Sequence, residues 1–190
     1  RLGNQGISAE LTVSRKAAYH RYRFSGTAPI GVKVDVCHGG LEIEGCETRP
    51  TEGEVQLLSP AEAGGYMLMD GVPLYVHIEL EGSETNVLWA ENTEISDSHM
   101  TFPRNQQQVA AGGVLFYPDP AGERECCVKI GFSFTSHEKA RRNLGEIKDK
   151  SFDQVSREAT AEWEKHLNRI HVHGGTQSQR EIFYSSLYHS

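Results

Sequence analysis

The sequence predicts a mainly β fold, an antiparallel β-sandwich, followed by helices that occupy the rest of the chain. Short apolar–polar alternations recur from Gly6 to Phe134, separated by Gly- and Pro-containing punctuation. After Thr135 the apolar spacing becomes helical and stays so. No strand–helix–strand rhythm interrupts the first part, which argues against a parallel sheet with crossover helices.

In chain order, GISAELTVS (Gly6 to Ser14) sets Ile7, Ala9, Leu11 and Val13 against polar neighbours, the pattern of a half-buried strand. Ala18 to Phe24 places His20, Tyr22 and Phe24 on one face and Tyr19, Arg21 and Arg23 on the other. Turn chemistry at Gly26-Thr-Ala-Pro29 precedes an alternation over Ile30 to Val36. Leu41 and Ile43 begin a short strand, and Val55 to Leu58 form another. Leu74, Val76, Ile78 and Leu80 mark the cleanest strand of the middle section. The polar stretch from Ala90 to Gln108 reads as loop, and Gly113 to Tyr117 returns to strand.

The change of architecture falls within ECCVKIGFSFTSHEKARRNL, Glu125 to Leu144. Val128, Ile130, Phe132 and Phe134 alternate with Lys129, Gly131 and Ser133, as in a strand with one buried face. Thr135 stands three residues before Glu138, the spacing of a capping box, and Ala140, Leu144 and Ile147 follow at helical spacing. Ser151 and Gln154 repeat the capping spacing ahead of a stripe of Val155, Ala159, Trp163, Leu167 and Ile170. Ile170 to Val172 reads as a short strand and Gly174-Gly175 as a break. Thr176 and Gln179 then open a helix carrying Ile182, Phe183 and Leu187. Both ends read as cut: Arg1 stands just before a strand, and the apolar helical pattern of QREIFYSSLYHS has no cap behind it.

The composition excludes some classes of function. A net charge of −7 and a pI near 5.7 argue against a nucleic-acid partner. No apolar run approaches the roughly 20 residues of a membrane-spanning helix. The four cysteines, Cys37, Cys46, Cys126 and Cys127, do not form the paired C-x-x-C spacing of a zinc ribbon. Adjacent on a strand, Cys126 and Cys127 point to opposite faces as packing thiols. A Cys37–Cys46 disulfide is left open.

The constellations that could carry chemistry are sparse. His171 and His173 would share a strand face, which suits a metal, but no third ligand is placed near them. Glu42, Glu44 and Glu47 read as a solvated acidic face before a cation site, and Arg15, Lys16, Arg21 and Arg23 as partners for carboxylates across the sheet. Trp163 reads as core. Trp89, beside the polar loop, is weighed as a sugar-stacking platform. There is no G-x-S-x-G, P-loop or dinucleotide-binding turn, and no pair of acidic residues stands out as a glycosidase pair.

Four segments, taken in order, resemble the amino-terminal part of glycoside hydrolase family 92, the calcium-dependent exo-acting α-mannosidases. They are GISAELTVSRKAAYHRYRF (Gly6 to Phe24), VKIGFSFTSHEKARRNL (Val128 to Leu144), FDQVSREATAEWEKHLNRIHV (Phe152 to Val172) and QREIFYSSLYHS (Gln179 to Ser190). The resemblance implies a sandwich over residues 1–134, a helical linker of two helices over 135–173, and the start of an (α/α)₆ toroid over 174–190. It implies an inverting α-1,2-mannosidase in which a Glu acts as general acid and an Asp as general base on a water, with carboxyl groups roughly 6.5–9.5 Å apart. Calcium would help to bind and distort the terminal mannose of a glycoprotein or yeast-type mannan. The residues responsible are expected beyond Ser190. No catalytic residue and no metal ligand is therefore assigned to this chain, its substrate contacts are left unassigned, and alone it is expected to bind no calcium and to be inactive. The implied partners are α-mannoside glycans and the missing toroid, and the implied location is a bacterial periplasm or exterior. A stand-alone carbohydrate-binding or adhesion sandwich is the alternative, and a purely structural interaction domain a third reading.

Overall fold

The computed structural model describes residues 6–37, 50–69, 71–103, 112–118 and 124–189. Among them the chain forms eleven strands: β1 (Ile7–Val13), β2 (Ala17–Phe24), β3 (Val32–Asp35), β4 (Glu52–Ser59), β5 (Glu62–Met69), β6 (Val72–Leu80), β7 (Ser83–Ala90), β8 (Thr93–Ile95), β9 (His99–Phe102), β10 (Gly112–Pro118) and β11 (Glu125–Ser133). Three helices follow, α1 (His137–Leu144), α2 (Phe152–Leu167) and α3 (Gln177–Tyr188).

The strands make the expected sandwich. A seven-stranded sheet runs β1-β2-β11-β6-β5-β4-β9, and a four-stranded sheet runs β3-β10-β7-β8. All pairings are antiparallel. Their facing sides close on one core. Val76, Ile78, Leu80, Phe102 and Val128 come from the large sheet, and Leu88, Val114 and Phe116 from the small one.

Several expectations change in detail. The segment read as loop from Ala90 contains β8 and β9. Glu91 and Asn92 both take positive φ (48° and 66°) and connect β7 to β8 in two residues, the geometry of a primed hairpin turn. Glu lacks the usual signature of such a turn, so the hairpin is hidden in the sequence. Strand β1 is an edge strand, and its apolar face is largely open, with Leu11 62% and Val13 51% exposed. The Leu41–Ile43 strand falls outside the described residues.

The largest difference concerns β11. Its second face was expected to meet solvent, yet Lys129, Gly131 and Ser133 are all buried. The cause is α1, which folds back over the outer side of the large sheet. Gly131 makes room for it: a Cβ there would stand 2.2 Å from the Ala140 carbonyl oxygen and 2.9 Å from the Leu144 amide nitrogen. The Asn143 amide donates to the Phe132 carbonyl oxygen at 2.7 Å. Lys129 is accommodated in this layer by donating to the Lys148 carbonyl oxygen at 2.7 Å and pairing with Glu81. A satellite core of Ala17, Tyr19, Ile147, Phe152 and Val155 then attaches the start of α2.

The caps explain where the helices start. Ser136, rather than Thr135, caps α1 by accepting from the Lys139 amide, while Thr135 is held by the Ser133 hydroxyl. Ser151 caps α2 as expected, but the Gln154 side chain turns to Glu158 instead of completing the box. Thr176 and Gln179 form the full reciprocal box on α3. Residues 170–172 carry no strand. Among the described residues, no helix is long and apolar enough to cross a membrane.

Candidate metal centre and exposed helical face

Strand β6 sends Val76, Ile78 and Leu80 into the sandwich, so Tyr75, His77 and Glu79 face the outer layer beneath α1. His77 is fully buried there. Its register partners on the two flanking strands are Gly64 on β5 and Gly131 on β11. Without side chains at those positions, α1 comes close to the sheet, and His137 at its first turn lies over Gly64, where a Cβ would stand 2.0 Å from His137 Nε2. Glu79 shares the face of His77 two residues on, and Glu62 lies directly across from Glu79.

The four side chains form one cluster. His77 Nδ1 is 3.3 Å from His137 Nε2, so one N–H links the two rings. His77 Nε2 lies 3.6 Å from both Glu62 Oε2 and Glu79 Oε1 and makes no hydrogen bond. One ligand atom from each of Glu62, His77 and Glu79 falls within 4.8 Å of the others, the one such three-residue group among the described residues. Lys148 Nζ approaches Glu79 Oε1 at 3.3 Å from the solvent side. Burial lowers the His77 pKa, with His137 beside it acting in the same direction. Burial, then Arg141, lowers that of His137. Both shifts favour the neutral ring.

The residues singled out from sequence go elsewhere. His171 and His173 are exposed and join no cluster. Glu42, Glu44, Glu47 and Cys46 lie outside the described residues, and the Cys37–Cys46 pairing with them. Burial pushes the Cys37 thiol up to about 12 and the Cys126 thiol to about 11, as suits packing thiols. Three of the four basic residues find carboxylates through their side chains: Arg15 meets Glu162, Arg21 meets Glu10 and Asp153, and Arg23 meets Glu10 and Glu125, whereas Lys16 reaches Glu146 through its backbone amide. Trp89 is buried beneath the Lys33 ammonium, 4.6 Å from the ring centroid, and offers no face for a sugar. Trp163 is not core: it is 43% exposed and rests against Tyr188, with ring centroids 4.6 Å apart.

Sequence reading did not find the His77 cluster. The alternation of β6 put His77 and Glu79 on a common face, but Glu62 joins them through a strand whose Gly64-Gly65 pair hid it. Trp163 lies outside the core because the packing of α2 ends early. Only the first turn of α2 is buried, through Phe152 and Val155, and α3 has no buried residue. A groove of about 640 Å³ runs between β1 and α2, lined among others by Val13, Arg15, Val155, Glu162 and Trp163.

Three histidines give the fold a pH dependence with a definite sign. Burial lowers the pKa of His20, His77 and His137 from the ordinary 6.5. Such groups contribute stability above 6.5 that is lost as pH falls through 6.5 towards the lower folded values, because the unfolded chain then binds more protons. The lowered carboxyls of Glu10, Glu158 and Glu162 start from 4.5, so their contribution is lost only at lower pH. Urea titrations in chelator are expected to give a lower midpoint at pH 5.5 than at pH 7.5, by up to about 1.4 kcal/mol per pH unit for each proton taken up.

The chain is similar to known proteins in part of its sequence and in its fold. Residues 139–190 match the family model described as the glycosyl hydrolase family 92 catalytic domain. No curated protein matches the sequence significantly. Among solved structures, a family 92 α-mannosidase from Bacteroides thetaiotaomicron aligns with a TM-score of 0.77 at 18% identity, covering 97% of this chain and 25% of that one. A second, described as an inverting mannosidase from the same species, gives 0.77 at 20%, covering 98% and 24%. A further glycosyl hydrolase of the family, ccman5, gives 0.79 at 22%, covering 96% and 24%. The chain thus spans about a quarter of the length of each solved relative. Residues 139–190 are thus similar in sequence to the glycosyl hydrolase family 92 catalytic domain, and nearly the whole chain shares the fold of the corresponding part of solved members of that family.

Proposed function

We propose that this chain is the amino-terminal sandwich and helical connection of an inverting, calcium-dependent exo-α-mannosidase, and that it buttresses a catalytic (α/α)₆ toroid and walls one side of its sugar pocket. The observation that carries the reading is the family match over α1 to α3, helices whose apolar residues are mostly uncovered after the first turn of α2. A twelve-residue helix with nothing buried is marginal on its own. Ile182, 65% exposed, and Tyr188, 51% exposed, supply the apolar surface that a toroid would cover. On this reading the domain limits are 1–134, 135–173 and 174 onward. The acid, the base and the calcium ligands belong to the part of the longer protein beyond Ser190, and the enzyme works in a bacterial periplasm or outside the cell. An α-mannoside is the substrate class; one of the solved α-mannosidases is described as a complex with mannoimidazole.

The test compares this chain with the longer protein on an α-1,2-linked mannobiose. The longer protein is expected to release mannose with inverted anomeric configuration and to lose activity in chelator, and this chain alone to release none. Absence of mannose release by the longer protein would overturn the reading. Tight mannan binding by this chain alone would favour a stand-alone binding module instead. Ile182→Asp gives an independent check. It is expected to change the stability of this chain alone by less than about 0.5 kcal/mol, as for any exposed position, yet to destabilise the longer protein measurably in the same urea titration.

A further inference from the structure

We propose that Glu62, His77 and Glu79 bind a divalent transition metal ion of the zinc class, with a fourth position left to water and His137 as the outer-sphere partner of His77. The site is separate from the calcium expected in the toroid.

His77 Nε2 is fully buried and has no hydrogen-bond partner, a costly state for a polar atom in a layer where nearly every other group is paired. It also points at two carboxylate oxygens, both 3.6 Å away. That distance is too long for a hydrogen bond. It is close to the roughly 3.4 Å that separates a nitrogen and an oxygen on one tetrahedral ion with metal–ligand bonds near 2.1 Å. Carboxylates only accept, and a neutral imidazole nitrogen without its proton does the same. A cation between them is what satisfies all three.

The second shell has the matching form. A metal-ligating histidine usually donates its other ring N–H to a fixed acceptor, which sets the tautomer. His77 Nδ1 lies 3.3 Å from His137 Nε2, so donation from Nδ1 leaves the Nε2 lone pair facing the carboxylates. The donors also sit on rigid elements. Two are i and i+2 on β6, and the third is the register partner of Glu79 on β5.

The donor set selects the class of ion. One imidazole and two carboxylates suit zinc and its neighbours, whereas calcium takes six to eight oxygens. Two carboxylates neutralise a divalent charge. Lys148 occupies Glu79 at 3.3 Å, but its side chain is 53% exposed and free to swing into water, and Lys129 is committed to Glu81. Arg141 acts on His77 only through space. Glu62 and Glu79 keep 28% and 15% of their side-chain surface exposed, which gives the ion an entrance.

The test uses untagged, metal-free chain in a His171→Ala/His173→Ala background, which removes the exposed histidine pair. Zn(II), Co(II) and Ca(II) are each titrated by calorimetry. One equivalent of Zn(II) is expected to bind and raise Tm, Co(II) to give the intense visible absorption of a four-coordinate centre, and Ca(II) to bind at least 100-fold more weakly. Glu62→Gln and Glu79→Gln, both at partly exposed positions and checked by circular dichroism for native fold, are expected to weaken Zn(II) binding at least about ten-fold each. Absence of Zn(II) binding, or binding that survives both Gln substitutions in the folded variants, would overturn the proposal.

Discussion

Gly131→Ala is expected to cost about 3 kcal/mol or more, although it adds a single methyl group. The new Cβ would meet the Ala140 carbonyl oxygen at 2.2 Å and the Leu144 amide nitrogen at 2.9 Å. Those are backbone atoms of α1, so no rotamer change relieves the clash, and the helix must lift from the sheet. Lifting it uncovers Ala140 and Leu144, both buried, and the Lys129 ammonium whose acceptor is the Lys148 carbonyl. For a chain of this length the loss corresponds to a fall in Tm of roughly 6–12 °C, read by calorimetry or by the urea midpoint. Gly64→Ala is the informative contrast. Its Cβ would meet the ring of His137 at 2.0 Å, and a side chain can swing away where a helix backbone cannot. It is expected to cost less than half as much and to separate His137 from His77. Equal and small effects at the two sites would mean that α1 does not sit on this face.

What was legible in the sequence is what local pattern encodes. The alternations of β2, β6 and β11 and the capping residues Ser151 and Thr176 lie at positions where one residue type has one physical use, and the structure keeps them. Contacts between distant segments were not legible. The Lys129–Gly131–Ser133 face reads as solvated because nothing in β11 announces that α1 will cover it. The β7–β8 hairpin escaped because Glu91 replaces the residues that usually take positive φ. Trp163 was misread for a related reason: helical periodicity shows which residues share a stripe, not whether another element buries it, and Tyr188 against its ring leaves Trp163 43% exposed. The His77 cluster required the β5–β6 register, a tertiary fact that neither strand states alone.

Phe152→Ala is expected to cost about 3–5 kcal/mol and to release α2 before the sandwich. Phe152 is buried at the first turn of α2, packs edge-on to Tyr19 with centroids 5.5 Å apart, and lies under the Arg21 guanidinium at 4.2 Å. The satellite core around it is small, so a cavity there has few neighbours able to collapse into it. Arg21 reaches the same joint by a different route. It donates two hydrogen bonds to Glu10, at 2.9 and 3.0 Å, and pairs with Asp153 at 3.0 Å. Those carboxylates are 39% and 64% exposed, so they return to water when the arginine is removed. Arg21→Ala is therefore expected to cost only about 1–2 kcal/mol, partly through lost stacking on Phe152. Because the two side chains touch, the double variant should cost less than the sum, with a coupling of about 0.5 kcal/mol or more. Hydrogen exchange distinguishes the location of the damage. In Phe152→Ala the amides of α2 and α3 should lose protection while β6 and β11, buried on both faces, keep theirs. Loss of protection in all four elements together would instead make α2 part of the sandwich's own cooperative unit.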